Sequence, residues 1–172
     1  MSKTSIIGFP RVGSQRELKF WTEDYFKQKL SAETLQENAA GLRKAQWQLQ
    51  AQNGIDFIPS GDFSFYDGVL DAAYLLNAVP KQYSDLGLSA LDTYFAMARG
   101  YQGEKGDVKA LSMRKWFNTN YHYLVPVLED DTKIRLNGSA PFQQYSEAIS
   151  LGIKTKPVLV GPFTFLTLAD YK

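Results

Sequence analysis

Two cationic side chains near the start of the chain lie at a spacing that suits an anionic ligand. Arg16 and Lys19 are three residues apart and follow a segment of apolar, glycine and proline residues at positions 6–13. Residues three apart share one face of a helix, and the first turn of a helix adds unpaired N–H groups and the positive end of the helix dipole. This arrangement could bind a carboxylate or a phosphate. It could equally be a solvated helix face, because Arg and Lys are common surface residues.

A strand and a helix are predicted to position these two cations. Residues 6–9 are an apolar run bounded by glycine and proline, which is typical of a buried strand. Gly13 supplies a turn, and Ser14 is a candidate N-cap for a helix over residues 14–29. The cations would then lie just beyond the carboxyl end of the first strand.

Further helices and strands alternate along the chain. One helix is predicted to begin at the N-cap Ser31 and to end at Asn53, before Gly54. Other helices are predicted over residues 66–77, 90–99 and 141–151, and other strands over residues 55–59, 134–136 and 157–160. Residues 102–106 are predicted to be a loop, residues 115–127 to be extended or irregular, and the chain to end inside a helix.

The helix that begins at Ser31 carries an apolar stripe. Its members recur at steps of three and four: Leu35, Ala39, Leu42, Ala45 and Leu49. This spacing predicts that one face of the helix is buried and that the opposite, polar face meets solvent.

The alternation of strands and helices predicts an α/β fold. Parallel strands need helical crossovers, so either a doubly wound sheet or a (β/α) barrel fits the pattern. No glycine-rich Gly-x-Gly-x-x-Gly pattern follows the first strand candidate. The sequence therefore argues against a dinucleotide-binding fold.

Composition excludes several classes of function. The 172 residues are 44% hydrophobic and carry a formal net charge of +1, which suits a globular core and gives no reason to expect nucleic-acid or membrane binding. No signal peptide or long apolar span is evident, so a cytoplasmic protein is expected. The sequence has no Cys and one His, and a closed structural zinc site cannot be built from such a set.

A few acidic and imidazole groups have two possible interpretations. Asp56, Asp62 and Asp67 could act in acid–base or magnesium chemistry, although turn and N-cap roles explain Asp62 and Asp67 more simply. His122 could be a general base, although no partner for a catalytic triad can be named and a packed, hydrogen-bonded histidine is the simpler expectation.

Four segments taken together carry a resemblance to a known family. They are GFPRVG at residues 8–13 followed by RELK at 16–19, GIDFIPSGDFSFYD at 54–67, KWFNTNYHY at 115–123 and KPVLVGP at 156–162. In this order, over nearly the whole chain, they resemble the amino-terminal domain of cobalamin-independent methionine synthase.

The resemblance implies a (β/α) barrel of the TIM type. Such a barrel takes about 250 residues, which exceeds the 172 residues of this chain. The expectation is therefore a partial amino-terminal domain over residues 1–172, an incomplete barrel with about four strands. The carboxy-terminal catalytic zinc domain of the family would be absent. Open strand edges predict self-association or a partner.

The resemblance also implies a binding site. In the family, the positions that match Arg16, Glu17, Leu18, Lys19 and Lys115 help to bind the polyglutamate tail of 5-methyltetrahydropteroyltriglutamate. The carboxylates of that tail suit a bidentate Arg and two Lys point charges. An acidic side chain would repel the tail, so Glu17 and Leu18 are expected to contribute through backbone or packing. From the sequence alone, Lys115 could also be surface decoration or a cation–π partner of Trp116.

The implied whole enzyme is a zinc-dependent methyltransferase of methionine biosynthesis that uses no cobalamin. It moves a methyl group from the folate to homocysteine, and its zinc and homocysteine sites lie in the missing domain. This chain alone is expected to bind and not to catalyse. Two alternatives stay open: a structural fragment that braces the catalytic domain, and a standalone module that binds an acidic metabolite.

Overall fold

The computed structural model describes residues 2–172, which form an α/β structure. The helices are α1 Glu17–Phe26, α2 Ala32–Gln52, α3 Gly68–Leu75, α4 Lys81–Ser84, α5 Ala90–Arg99, α6 Ala140–Ser150 and α7 Pro162–Leu168. The strands are β1 Ile58–Ser60, β2 Tyr101–Gly103, β3 Gly106–Val108, β4 Met113–Lys115, β5 His122–Leu124, β6 Val127–Leu128, β7 Thr155–Pro157 and β8 Asp170–Tyr171. The strands within residues 2–172 form four two-stranded sheets and no closed barrel.

The chain divides into two compact units. Unit 1 comprises the residues up to Phe65 together with Ser139–Leu159, and unit 2 comprises Tyr66–Gly138 and Val160–Lys172.

Unit 1 is built on parallel strand pairing. β1 and β7 pair in parallel, with Ile58 opposite Thr155, and an isolated parallel bridge joins Ser5 to Phe57. Two hydrophobic clusters form the core of the unit, the first of which includes Ile58 of β1. One contains Trp47, Ile58, Ala148 and Ile153, and the other contains Leu18, Ala39 and Phe63.

The predicted strand over residues 6–9 does not form. Strand pairing in this segment stops at Ser5, and Ile7 is 81% exposed. The amide of Phe9 donates to the carboxylate of Asp62 at 2.9 Å. A side-chain hydrogen bond therefore takes the place of the sheet ladder that the apolar pattern predicted.

The first helix begins later than predicted, and Ser14 is not its N-cap. Arg16 is the N-cap residue, with the left-handed backbone angles φ 62 and ψ 33, and α1 runs from Glu17 to Phe26. The Ser14 hydroxyl instead lies 3.5 Å from Glu17 Oε1. Residues 14–16, which the prediction assigned to the helix, lie in the turn that follows Gly13.

The boundaries predicted for α2 are confirmed, but its predicted apolar stripe is partly wrong. The Ser31 hydroxyl accepts the Thr34 N–H, and the helix ends at Gln52 before Asn53. Leu35 and Ala39 are buried as predicted, whereas Leu49 is 49% exposed and Ala45 is exposed. The buried face continues instead through polar or amphipathic residues: Arg43, Trp47 and Gln50.

Arg43 and Trp47 can be buried because neighbouring elements supply partners, whereas the Gln50 amide donates to the Gln46 carbonyl of the same helix. Arg43 pairs with Glu147 of α6, and the Trp47 indole N–H donates to the Pro59 carbonyl at 2.9 Å. An apolar periodicity count does not include such partners, so it assigns the buried face to the wrong residues.

Unit 2 combines one parallel pair with two hairpins. β6 pairs in parallel with β8, while β2–β3 and β4–β5 are antiparallel. Its core contains Val69, Ala73, Ala78, Tyr123, Val125, Phe165 and Leu168. The Asp67 carboxylate caps α3 as predicted, and α5 spans the predicted residues before Gly100.

Several predictions in unit 2 and at the end of unit 1 are corrected. Residues 102–106, predicted to be a loop, belong to the β2–β3 hairpin. Residues 134–136 form no strand, because the amides of Arg135 and Asn137 donate to the Leu76 and Leu75 carbonyls at the end of α3. The strand predicted over residues 157–160 lies at Thr155–Pro157 instead, and Leu159 is 59% exposed.

The chain does not end inside a helix, as the sequence predicted. α7 stops at Leu168, and Asp170–Tyr171 form β8 beside β6. Among residues 2–172, none of the helices combines the length and the hydropathy that crossing a membrane requires.

Candidate functional site

Three loops of unit 1 follow the carboxyl ends of parallel segments. They come after Ser5, after β1 and after β7. The loops after Ser5 and β1 meet where the Phe9 amide donates to Asp62. The loop after β7 stays beside β1, because the Val158 amide donates to the Ser60 carbonyl at 2.8 Å. The carboxyl ends of parallel strands are where α/β proteins bind ligands.

Gly61 makes the close approach at the end of β1 possible. Its φ of +79° is in the left-handed region, and a Cβ there would lie 3.0 Å from the Val158 carbonyl oxygen. Gln144 of α6 also fixes this turn, because its Oε1 accepts the Gly61 N–H and its Nε2 donates to the Phe63 carbonyl. A larger residue at position 61 would strain the backbone and crowd the neighbouring loop.

The loop that leads to Arg16 is held at several points. The Gln46 side chain donates to the Pro10 carbonyl at 3.0 Å. Farther along, the Leu18 amide donates to the Val12 carbonyl at 3.1 Å and the Arg16 amide to the Gly13 carbonyl at 3.2 Å. These contacts turn the chain into α1 with the side chain of Arg16 exposed.

Glu17 folds back over its own loop. Its Oε2 accepts the Gln15 N–H at 3.0 Å, and a Cβ built on Gly13 would lie 2.0 Å from that oxygen. Gly13 also has a φ of +86°. Any side chain at position 13 would therefore have to displace the Glu17 carboxylate.

Leu18 and Lys19 occupy different environments on the same turn. Leu18 is 4% exposed and packs in the cluster with Ala39 and Phe63. Lys19 is exposed, with its Nζ 3.3 Å from Glu23 Oε1. The structure thus brings Arg16, Glu17, Leu18 and Lys19 together at the start of α1, with both cations at the surface.

Lys115 belongs to unit 2. It is the last residue of β4, is exposed, and lies opposite His122 of β5. The turn that follows contains Phe117, which is 63% exposed and has a φ of 48°. The ring of Phe117 meets Trp116 edge to face, with centroids 5.0 Å apart. Lys115 is therefore a cation at the base of an aromatic hairpin turn.

The three aspartates that the sequence singled out each accept backbone N–H groups. Asp67 caps α3 and also accepts the Leu124 N–H at 3.1 Å. Asp56 accepts the Thr4 N–H at 2.7 Å, and this hydrogen bond lowers the pKa of Asp56. Burial raises the pKa of Asp62, although the hydrogen bond from Phe9 acts in the opposite direction. The N-cap of the next helix, α3, is Asp67, so Asp62 is not the N-cap of a helix.

His122 is exposed, and not packed as the sequence suggested. Its Nδ1 lies 3.0 Å from the Asn120 carbonyl oxygen. Over the part of the chain that the structure describes, no group of three or more His, Cys, Asp or Glu side chains could hold a metal ion.

Sequence reasoning missed three residues that shape this region, and it missed the partner of Asp62. Gln46 and Gln144 hold loops, Glu23 pairs with Lys19, and Asp62 accepts the Phe9 N–H. The spacing of Lys19 and Glu23 at i and i+4 was a readable signal. The other three contacts join distant parts of the chain and leave no local pattern.

Comparison with known proteins agrees with the family resemblance of the four sequence segments, and the match extends along nearly the whole chain. Residues 3–172 match the family described as cobalamin-independent synthase, N-terminal domain. Over 169 residues, the chain is 57% identical to proteins named 5-methyltetrahydropteroyltriglutamate–homocysteine methyltransferase from Streptococcus suis (strain 05ZYH33) and Streptococcus pneumoniae (strain R6). The protein of that name from Streptococcus thermophilus (strain LMD-9) is 56% identical over 169 residues.

These alignments cover different shares of the two partners. They include 98% of this chain but 23% of the length of each relative. The chain thus spans about a quarter of the curated relatives it matches. On the family match over residues 3–172, the chain belongs to the cobalamin-independent synthase family, as its N-terminal domain.

Proposed function

We propose that this chain binds the polyglutamate tail of 5-methyltetrahydropteroyltriglutamate for a longer methyltransferase. That enzyme would transfer the methyl group of the folate to homocysteine and form methionine, as the names of the relatives describe. The observation that carries the proposal is the pair of exposed cations, Arg16 and Lys19, on the first turn of α1. Their loop lies beside the carboxyl ends of parallel strands in unit 1.

The chemistry of the tail matches this surface. A triglutamate carries several carboxylates along a flexible chain, and Arg can bind one of them through two parallel hydrogen bonds. Lys19 adds a point charge and α1 adds the positive end of its dipole. Exposed charge pairs contribute about 0.2–1 kcal/mol each, so binding should be weak and sensitive to salt.

We assign supporting roles to the other residues of the predicted set. Glu17 shapes the loop through its hydrogen bond from Gln15, and Leu18 anchors α1 in the core of unit 1. Lys115 would add a third cation, and its exposure on β4 is compatible with that role.

We also propose that the parallel strand pairs reflect a (β/α) barrel fold of the TIM type. The β1–β7 and β6–β8 pairs are parallel, as the strands of such a barrel must be. A partial domain over residues 1–172, its self-association and its cytoplasmic location stay predictions.

The family resemblance also implies zinc, but the residues of this chain do not fit that metal. The sequence has no Cys and a single His, and residues 2–172 contain no cluster of metal-ligating side chains. We therefore assign no zinc-dependent step and no homocysteine contact to this chain. The family description itself excludes cobalamin.

The proposal is tested by calorimetric titration of the chain at low salt with 5-methyltetrahydropteroyltriglutamate and with its monoglutamate. We expect the triglutamate to bind more tightly, and the double variant Arg16→Ala, Lys19→Ala to lose about tenfold in triglutamate affinity, because it removes two charge contacts. The matched control is Lys27→Ala, Lys29→Ala, which removes two exposed cations just after α1. This control should bind as the wild type does.

Two results would count against this function. A folded wild type that shows no preference for the triglutamate would contradict tail binding by this chain. If the Arg16, Lys19 variant of the longer enzyme kept its KM for the folate, the chain would instead be a structural brace.

A further inference from the structure

The loop at residues 6–13 depends on side chains because sheet pairing does not reach it. The parallel bridge of Ser5 with Phe57 is isolated, and farther along the segment the Phe9 N–H donates to Asp62. Backbone N–H groups need a partner when they leave a sheet. A side chain that supplies one also fixes the path of the backbone.

Two aspartates, one on each side of β1, bind this amino-terminal segment in the same way. Asp56 precedes β1 and accepts the Thr4 N–H at 2.7 Å, and Asp62 follows β1 and accepts the Phe9 N–H at 2.9 Å. The partners are 52 and 53 residues apart, so the segment follows β1 in the same direction but does not keep one strand register with it. Asp56 is exposed, whereas Asp62 is half-buried.

The position of Asp62 connects it to the candidate site. Four residues after Phe9, Gly13 begins the turn that places Arg16, with its left-handed φ of 62°, at the start of α1. A non-glycine residue keeps such a conformation only when the surrounding structure fixes it. The path of the loop from Phe9 onward is part of that surrounding structure.

We propose that Asp62 is a positioning residue of the tail-binding site, whose carboxylate holds the loop at residues 6–13 so that Arg16 enters α1 in its observed conformation. This inference rests on the proposed function of the chain. In this role Asp62 acts through the Phe9 amide and not through a contact of its own with the tail. Asp56, at the other end of β1, has no such role.

The test uses three variants of the 172-residue chain. Asp62→Ala removes the acceptor, Asp62→Asn keeps an oxygen that can accept the Phe9 N–H, and Asp56→Ala removes the matched contact at the far end of β1. Each variant is titrated with the triglutamate and the monoglutamate, and its thermal melting is followed by circular dichroism.

We expect Asp62→Ala to bind the triglutamate about tenfold more weakly and to lose most of its preference over the monoglutamate. Asp62→Asn should bind as tightly as the wild type or more tightly. Asp56→Ala should melt at a lower temperature and keep the wild-type preference. A role in stability alone would lower the melting temperature of Asp62→Ala without changing the preference.

Three results would overturn the inference. The first is an Asp62→Ala variant that binds as Asp56→Ala does, and the second is an Asp62→Asn variant as weak as Asp62→Ala. The third applies if Asp62→Ala does not fold. Asp62→Glu then replaces it, because the extra methylene shifts the acceptor. The inference is overturned if Asp62→Glu and Asp62→Asn both bind the triglutamate as tightly as the wild type does. A wild type without tail preference would overturn the proposed function and this inference together.

Discussion

At the scale of single residues, the ion pair of Lys19 with Glu23 bears directly on ligand binding. The Lys19 Nζ lies 3.3 Å from Glu23 Oε1, and the two side chains are 43% and 41% exposed. A ligand carboxylate must compete with Glu23 for this ammonium group. The Glu23 charge also repels any anion that approaches the start of α1.

We therefore predict that Glu23→Gln strengthens triglutamate binding. An exposed pair at i and i+4 contributes about 0.3–0.5 kcal/mol, so the affinity should rise about twofold at low salt. The control Glu37→Gln removes an exposed carboxylate from α2 with the same change in net charge. Calorimetry of both variants separates local competition from a general charge effect, and equal affinities for the two would refute the prediction.

At the scale of elements, α2 and α6 are joined by a partly buried ion pair. The Arg43 guanidinium donates from Nε and Nη2 to the Glu147 carboxylate at 2.8–2.9 Å and also lies over the Phe63 ring. Arg43 is 7% exposed. The carboxylate offsets the cost of burying this guanidinium, so removal of the carboxylate alone would leave an uncompensated charge between the two helices.

Replacing Glu147 by Ala should be strongly destabilising, because it leaves the Arg43 charge buried without a partner. We expect a loss of about 3 kcal/mol in the free energy of unfolding, measured by urea denaturation. The double variant Arg43→Met, Glu147→Leu should recover most of this loss. The control Asp131→Ala breaks the exposed Lys81–Asp131 pair and should change stability much less. A Glu147→Ala variant no less stable than the control would rule out this role for the pair.

At the scale of the whole molecule, the chain corresponds to a minor part of the relatives it matches. It spans 23% of their length, and residues 2–172 contain no cluster that could hold a metal ion. The two cations of the candidate site, Arg16 and Lys19, lie at the start of α1, where they can bind an anion.

We predict that the purified chain forms no methionine from 5-methyltetrahydropteroyltriglutamate and homocysteine, with or without added zinc. The measurement is product formation by chromatography, with a full-length relative as the positive control. Turnover that grows in proportion to the chain concentration would contradict this prediction.

Several features of this protein follow from the sequence because short-range chemistry fixes them. Ser31 caps α2, Asp67 caps α3, and α5 ends before Gly100. Each of these contacts lies within a few residues of the helix end it stabilises, so the local pattern is sufficient. The cations of α1 and the family resemblance were also readable from the sequence.

Other features depended on the path of the chain. Asp62 meets Phe9 across 53 residues, and Arg43 meets Glu147 across 104. The local sequence around each residue does not identify its distant partner. A periodic pattern therefore could not reveal that residues 6–9 leave the sheet or that Arg43 is buried. The α/β class, the helix caps and the cationic turn could thus be predicted from local patterns. The strand registers and the support of the loops could not, because hydrogen bonds between distant residues form where the folded chain brings them together.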